Sequence, residues 1–372
     1  MSTASTLASD HQAELIAISA TATSRSLNIW QQMNPDQLDA SWAALSPALL
    51  AQADAAVLAA ASTADSYVSA LSDQYGIESD PGRVNPRAFL GVDGSGRSSE
   101  SLLHGAVTTT KQATGAGLGR AQSFQAGAAY LASMMKTALA DIGRSSDLTA
   151  STGQGYTHYV RVVNSGACSR CAILAGISSF KTAFNRHPAC KCTTAPIIED
   201  GSTKVPEGFH ESPDDYFESL SSAEQDRVFT KGGAESIRSG ANVQDVVSAR
   251  RGANGITTSR GLGRKTVPNS GRRIVRERIG VNTDGTPIMG YTTTEGTYRG
   301  AFKERSRLMP ETIVNLTDDL PTRQMLLRDA GYIKPTVADL TNNDWLQIQK
   351  AEKAADYAGA QAFYRGLGIT KG

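Results

Sequence analysis

The sequence predicts a mainly α-helical protein: an N-terminal helical bundle, a small central α+β module that holds every cysteine, and C-terminal short helices with a basic, loop-rich segment. Three observations carry this. Small apolar residues recur at steps of three or four through much of the first 75 residues. All four cysteines fall within the 25 residues Cys168–Cys192. Nine basic residues and one acid crowd the 29 residues Arg250–Arg278.

Helical spacing runs from Ala13 through Ile16, Ile18, Ala22 and Leu27 to Trp30, where Asn34 and Pro35 break it. Asp36 can cap a segment over Leu38–Leu45, and Pro47 can open a third helix reaching Tyr75, with Gly76 as its stop. That stretch sets Leu49, Ala53, Ala56, Ala60, Ala64, Val68 and Leu71 on one stripe, which suits close packing. Residues 76–97 are turn-rich, and two alanine-rich helices are expected at 98–114 and 119–143. Past Gly153 the pattern changes. Tyr156–Val163 alternates with β-branched and aromatic residues and reads as a strand. After a Gly/Pro linker, helices are expected at Pro213–Leu220, Ser221–Thr230, Ala234–Ser239 and Val243–Ala249; Ser221 and Glu224 have capping-box spacing. Residues 250–300 allow only short strands, and further helices are expected at Pro310–Leu316, Thr322–Ala330 and Asp344–Gly366. The resulting divisions are 1–150, 151–200, 201–250, 251–309 and 310–372.

With 372 residues and a hydrophobic fraction of 40%, the chain can build real cores. No apolar run approaches the roughly 18 residues of a membrane helix, so no membrane association is expected. Met1–Asp10 has no basic residue ahead of an apolar stretch, so a secretory signal is not expected. Four cysteines cannot staple a chain of 372 residues.

The cysteines form Cys168-x-x-Cys171 and Cys190-x-Cys192, with His187 three residues before Cys190. Two sulfurs on a turn that meet two more ligands about 20 residues later suit a tetrahedral Zn²⁺. Five candidates are present for four positions, the choice lying between His187 and Cys192 for the last. Disulfide pairing, buried inert thiols and a redox pair at Cys168/Cys171 are the competing readings. Pro188 fixes its own φ and extends His187, so the two residues are expected to shape the turn that presents the last cysteines.

No catalytic centre is legible. The chain lacks a Glu-x-Glu pair and a Gly-x-Ser-x-Gly elbow. Gly263-Arg264-Lys265-Thr266 imitates only the end of a phosphate loop. The histidines at 11, 104, 158 and 210 stand apart from other candidate groups, and His158 reads as a packing or surface residue. Asp214 and Asp215 read as helix-start charges. The basic block Arg250, Arg251, Arg260, Arg264, Lys265, Arg272, Arg273, Arg276 and Arg278 is the electrostatic footprint of a nucleic-acid contact, set against a solvated loop that pairs with acids elsewhere. It holds no aromatic, so contacts are expected to be independent of base sequence.

The stretch Val160–Pro196, with a strand, Cys-x-x-Cys, Leu-Ala-Gly and His-Pro-x-Cys-x-Cys, resembles the core of the MuF-like minor capsid proteins of tailed bacteriophages. Val84–Phe89 (VNPRAF), Leu220–Arg251, Thr292–Gly300 (TTTEGTYRG) and Arg307–Glu311 (RLMPE) resemble, in the same order, segments of such proteins from phages of actinobacteria. The resemblance implies a non-enzymatic structural protein inside the phage head. Its implied partners are the portal protein and the major capsid protein, with double-stranded phage DNA as a further one. An effector with an enzymatic C-terminal region, delivered with the genome, is the rival that the same resemblance implies. A free sequence-independent DNA-binding protein is the third reading.

Overall fold

The structure, a computed structural model, describes residues 3–79, 84–163, 166–197, 205–250, 274–293 and 307–334. The chain is mainly helical and divides into two compact units, Met1–Tyr216 and Phe217–Gly372. In the first unit α1 (Ala4–Trp30) starts at Thr3, whose hydroxyl accepts from the amide of Thr6. It is followed by α2 (Leu38–Ala61), α3 (Ala64–Gln74), a 3₁₀ turn at Pro86–Phe89, α4 (Ser99–Gly115) and the long α5 (Arg120–Gly153). Their core joins Trp30, Leu49, Val57, Leu103, Leu131 and Ile142. Helices α1, α4 and α5 approach closely: a Cβ at Gly127 of α5 would lie 2.1 Å from the Thr110 hydroxyl and 2.6 Å from the Trp30 ring.

Three sequence expectations need correction here. Pro47 does not open a helix; α2 runs through it. The ring removes one ladder bond, but Trp42 before it and Leu49 after it enter the same core, and continuity keeps both there. The break falls instead at 62–63, between α2 and α3. The second correction concerns α5, which continues ten residues past the expected stop at Gly143. That glycine is a packing residue: a Cβ there would sit 2.9 Å from Leu15 of α1. Lastly, a window within Leu38–Gln74 is apolar and helical enough, by length and composition, to cross a membrane, with mean hydropathy 1.5. Alanine accounts for this, and α2 contributes Leu49, Ala53, Ala56, Val57, Ala60 and Ala61 to the core.

A three-stranded antiparallel sheet closes the first unit. Strand β1 (His158–Val162) lies between β2 (Ile177–Ser179) and β3 (Thr193–Ile197), with the one-turn helix α6 (Ser169–Ala172) between β1 and β2. Alternation assigns the faces. Val160, Val162, Ala195 and Ile197 join a core with Ala8, Tyr67, Val68, Leu71 and Ala150 from α1, α3 and α5. The opposite face holds Tyr159 and Arg161, with Arg161 directly across from Thr194. The cysteine module is therefore not a domain divided from the bundle at residue 150; the two share one core. The unit boundary falls within α7 (Pro213–Ser219), whose first turn carries Asp214 and Asp215.

In the second unit α8 (Ser222–Phe229) has the expected capping box, with Ser221 and Glu224 each bonding the other's backbone. Helices α9 (Lys231–Arg238), α10 (Val243–Ala249), α11 (Pro310–Leu316) and α12 (Leu320–Asp329) follow the sequence reading closely. The basic segment differs from it. Strands β4 (Ile274–Val281) and β5 (Pro287–Thr293) pair as a long antiparallel hairpin, with β6 (Arg307–Leu308) beside β5. The Asn282–Thr286 turn, with Gly285 at φ +83° and the Asp284 carboxylate accepting from Thr286, supplies the missed signal. The expected helix Asp344–Gly366 lies outside the described residues.

The contact at Gly127 yields a test in which two effects oppose each other. Alanine is the better helix former by about 1 kcal/mol. Overpacking against Thr110 and Trp30 costs about 1–3 kcal/mol, so packing wins. Gly127→Ala is expected to lower the thermal midpoint; an unchanged or raised midpoint in calorimetry refutes the close approach.

Candidate metal centre

Two tight turns present the ligands. Cys168 caps α6, and the amide of Cys171 donates to the Cys168 carbonyl at 2.9 Å. The second turn is His187-Pro188-Ala189-Cys190, closed by the Cys190 amide on the His187 carbonyl at 3.2 Å. Pro188 supplies the fixed φ and Ala189 takes φ +57°, which a side chain adopts only at a cost. The Ala189 amide donates to the Thr137 hydroxyl of α5 at 2.8 Å, and that bond holds the strained residue. A turn does lie at His187 and Pro188, as the sequence suggests.

The turns bring all five predicted ligands together, in two overlapping groups that share Cys171. His187 Nε2 lies 3.0 Å from Cys168 Sγ and 3.6 Å from Cys171 Sγ. Cys171 Sγ is 3.7 Å from Cys168 Sγ and 3.4 Å from Cys190 Sγ. Ligands at 2.0–2.3 Å from a tetrahedral metal stand about 3.3–3.8 Å from one another, and these neighbouring pairs fall near that range, within two groups of three ligand atoms that each lie inside 4.8 Å. They exceed an S–S bond of about 2.05 Å, and all four cysteines are free.

Protonation favours a cation as well. His187 Nδ1 lies 2.8 Å from the Pro188 carbonyl, which can only accept. Nδ1 therefore carries a proton, and Nε2 is the ring nitrogen that faces the sulfurs. The hydrogen bond with Cys171 outweighs burial and brings the Cys168 thiol down to about 5. Bonds with Cys171 and then Cys192 hold Cys190 well below the usual thiol range. Cys171, bonded to Cys168, Cys190 and Cys192, is pushed up. The cluster can bind a metal.

The loop carrying these ligands has little core of its own: Cys171, Cys190 and Cys192 are joined by Ala167 and Phe184. Helix α5 holds it. Arg144, nearly buried, donates to the carbonyls of Cys192 at 2.8 Å and Cys190 at 3.4 Å, and pairs with Asp141. Arg186 of the loop also pairs with Asp141. Gln12 of α1 donates to the carbonyls of Lys191 and Val162. One turn further along α5, fully buried Asp147 accepts from His11 Nε2 at 3.0 and 3.1 Å and from the Thr193 hydroxyl at 3.0 Å. The His11 ring stacks on Tyr67 at 3.8 Å, and the Tyr67 hydroxyl donates to the Thr194 carbonyl. Sequence reasoning left His11 without company; its partner is 136 residues away, and no local pattern marks the pair.

The basic residues take different places. Arg250 caps α10, lies 2.8 Å from Glu311 and donates to the Phe229 carbonyl at 3.0 Å. It is a structural arginine, a correction to its grouping with DNA-contacting residues. Arg276 and Arg278 are exposed on β4, across the ladder from Tyr291 and Met289. Arg251, Arg260, Arg264, Lys265, Arg272 and Arg273 lie outside the described residues.

Comparison with known proteins finds no matching family model, no matching curated protein and no matching solved structure.

Metal analysis of the full chain is expected to give about one divalent ion per chain, as a single four-ligand site requires. Arg144→Gln leaves every ligand in place but releases the two cysteine carbonyls, and is expected to weaken metal binding by about 10–100-fold. Competition with a chromophoric chelator measures this. Equal affinity in the variant would mean that Arg144 does not orient the loop.

Proposed function

We propose that the chain is a structural, non-enzymatic minor capsid protein of a tailed phage, located inside the head near the portal. In this reading the cysteine cluster is a zinc-stabilised fold element. The observation that carries it is the cluster itself: the Val160–Pro196 motif that resembles MuF-like proteins brings its five cysteine and histidine ligand atoms together. In this reading zinc takes the group Cys168, Cys171 and His187, with Cys190, 3.4 Å from Cys171, moving in as the fourth ligand. Cys192, buried beside Cys171 and Cys190, supports them. The choice of zinc follows from the mixed thiolate and imidazole donors. Coordination energy then adds to folding energy in a loop with almost no apolar core. Partners in this reading are the portal protein, the major capsid protein and packaged DNA.

The test is composition of the particle. Mass spectrometry of purified virions is expected to find the chain in few copies relative to the major capsid protein. Virions that lack it altogether would sink the proposal.

The exposed pair Arg276 and Arg278 supports a DNA contact through the basic segment. With about six phosphates neutralised, duplex binding weakens roughly a thousandfold between about 50 and 200 mM salt. Replacing both arginines by Ala in the full chain is expected to reduce the slope of log affinity against log salt by about two. An unchanged slope in fluorescence anisotropy removes the hairpin from the contact, and absence of binding at low salt removes DNA as a partner.

A further inference from the structure

The outer face of the β1–β3 pair holds a buried hydroxyl without a partner and a buried guanidinium that donates through Nη2 to the Asn185 carbonyl at 2.7 Å but leaves Nη1 unbonded. Thr194 Oγ1 and Arg161 Nη1 make no hydrogen bond, although their residues are only 4% and 3% exposed. They are direct cross-strand neighbours. An orphaned buried donor costs about 1–3 kcal/mol, more when charged, and a fold retains such a group where something else satisfies it. Thr194 lines a cavity of about 420 Å³ between the end of α5, the turn at Gly94 and the loop 180–186. Arg161 lies on the ring of Phe184, 3.7 Å from its centroid, and Phe184 lines the same cavity.

The remaining walls define the ligand chemistry. Arg144, Lys181 and Arg186 face the cavity with a single carboxylate, Asp141, which both arginines already engage. Two positive charges are therefore left over. Tyr159, Phe180 and Phe184 make the apolar part of the wall. Gly94 keeps the opening: a Cβ there would lie 2.6 Å from Asp141. A hydroxyl donor, fork-shaped guanidinium donors and a surplus of about two charges match a phosphate, which carries roughly −1.5 to −2 as a monoester near neutral pH.

We infer that this cavity is a phosphate-binding pocket, with Thr194 at its floor, Arg161 behind the Phe184 ring, and Lys181 and Arg186 as its outer cations. It is separate from the metal ligands and does not depend on the capsid reading. The phosphate can be free or can belong to a small ester whose organic part lies on the aromatic wall, and the two sources are separable by titration.

The experiment is isothermal calorimetry on the full, metal-loaded chain at constant ionic strength. Inorganic phosphate, adenosine monophosphate and adenosine are the three titrants. Saturable binding of inorganic phosphate, with none of adenosine, is expected. A monophosphate that binds at least tenfold more tightly than phosphate identifies an ester as the ligand; equal affinities identify the free anion. Thr194→Val keeps the side-chain shape and is expected to weaken phosphate binding about tenfold. Lys181→Gln, at an exposed position that leaves the fold unaffected, is expected to weaken it severalfold. No saturable heat with either phosphate titrant overturns the inference. So does an affinity unchanged in both variants, with metal content and circular dichroism matching the parent chain.

Discussion

The first unit depends on three charged residues spaced by three along the end of α5: Asp141, Arg144 and Asp147. Each is buried or nearly so, and a buried charge is tolerable only when it is paired and hydrogen-bonded. Their partners come from α1, from β3 and from the loop between the two cysteine pairs. Moving any one of these elements would leave an uncompensated charge, at a cost of about 3–5 kcal/mol. The charges thus choose one position for the loop, and the apolar face of the sheet then seals it to the bundle.

This arrangement explains how so small a loop can present five ligand atoms. Its local geometry comes from two turns, one opened by the cap of a single-turn helix and the other by a proline. Its position comes from backbone carbonyls held by Arg144 and Gln12, and from the strained Ala189 held by Thr137. Preorganised ligands lose less freedom when an ion binds, so more of the coordination energy is left to stabilise the fold. A bound metal and the helices would act on the same few residues and therefore reinforce each other.

Arginine serves opposite purposes along the chain. Arg144, Arg161 and Arg250 spend their guanidinium groups on carbonyls, ring faces and carboxylates. Arg276 and Arg278 stand on a strand with their heads in solvent. Counting charge along the chain groups Arg250 with the last two, yet Glu311, 61 positions away, claims it. Charge density alone locates a basic segment but does not separate its structural members from its available ones.

Much was determined by sequence alone: most helices, the capping box at Ser221 and Glu224, β1, and the clustering of the cysteines with His187. These follow from bonds between residues no more than a few positions apart, and composition and spacing record them directly. The hairpin β4–β5 was legible too, in a glycine turn between alternating runs, but arginine and glycine content obscured it. Tertiary structure alone decided that Gly143 is a contact for α1 rather than a helix end, and that Pro47 lies within a helix. It alone paired His11 with Asp147 and left Thr194 facing a cavity without a partner. Each of those outcomes turns on which distant surface approaches a residue, and close approach between remote segments leaves no periodic trace along the chain.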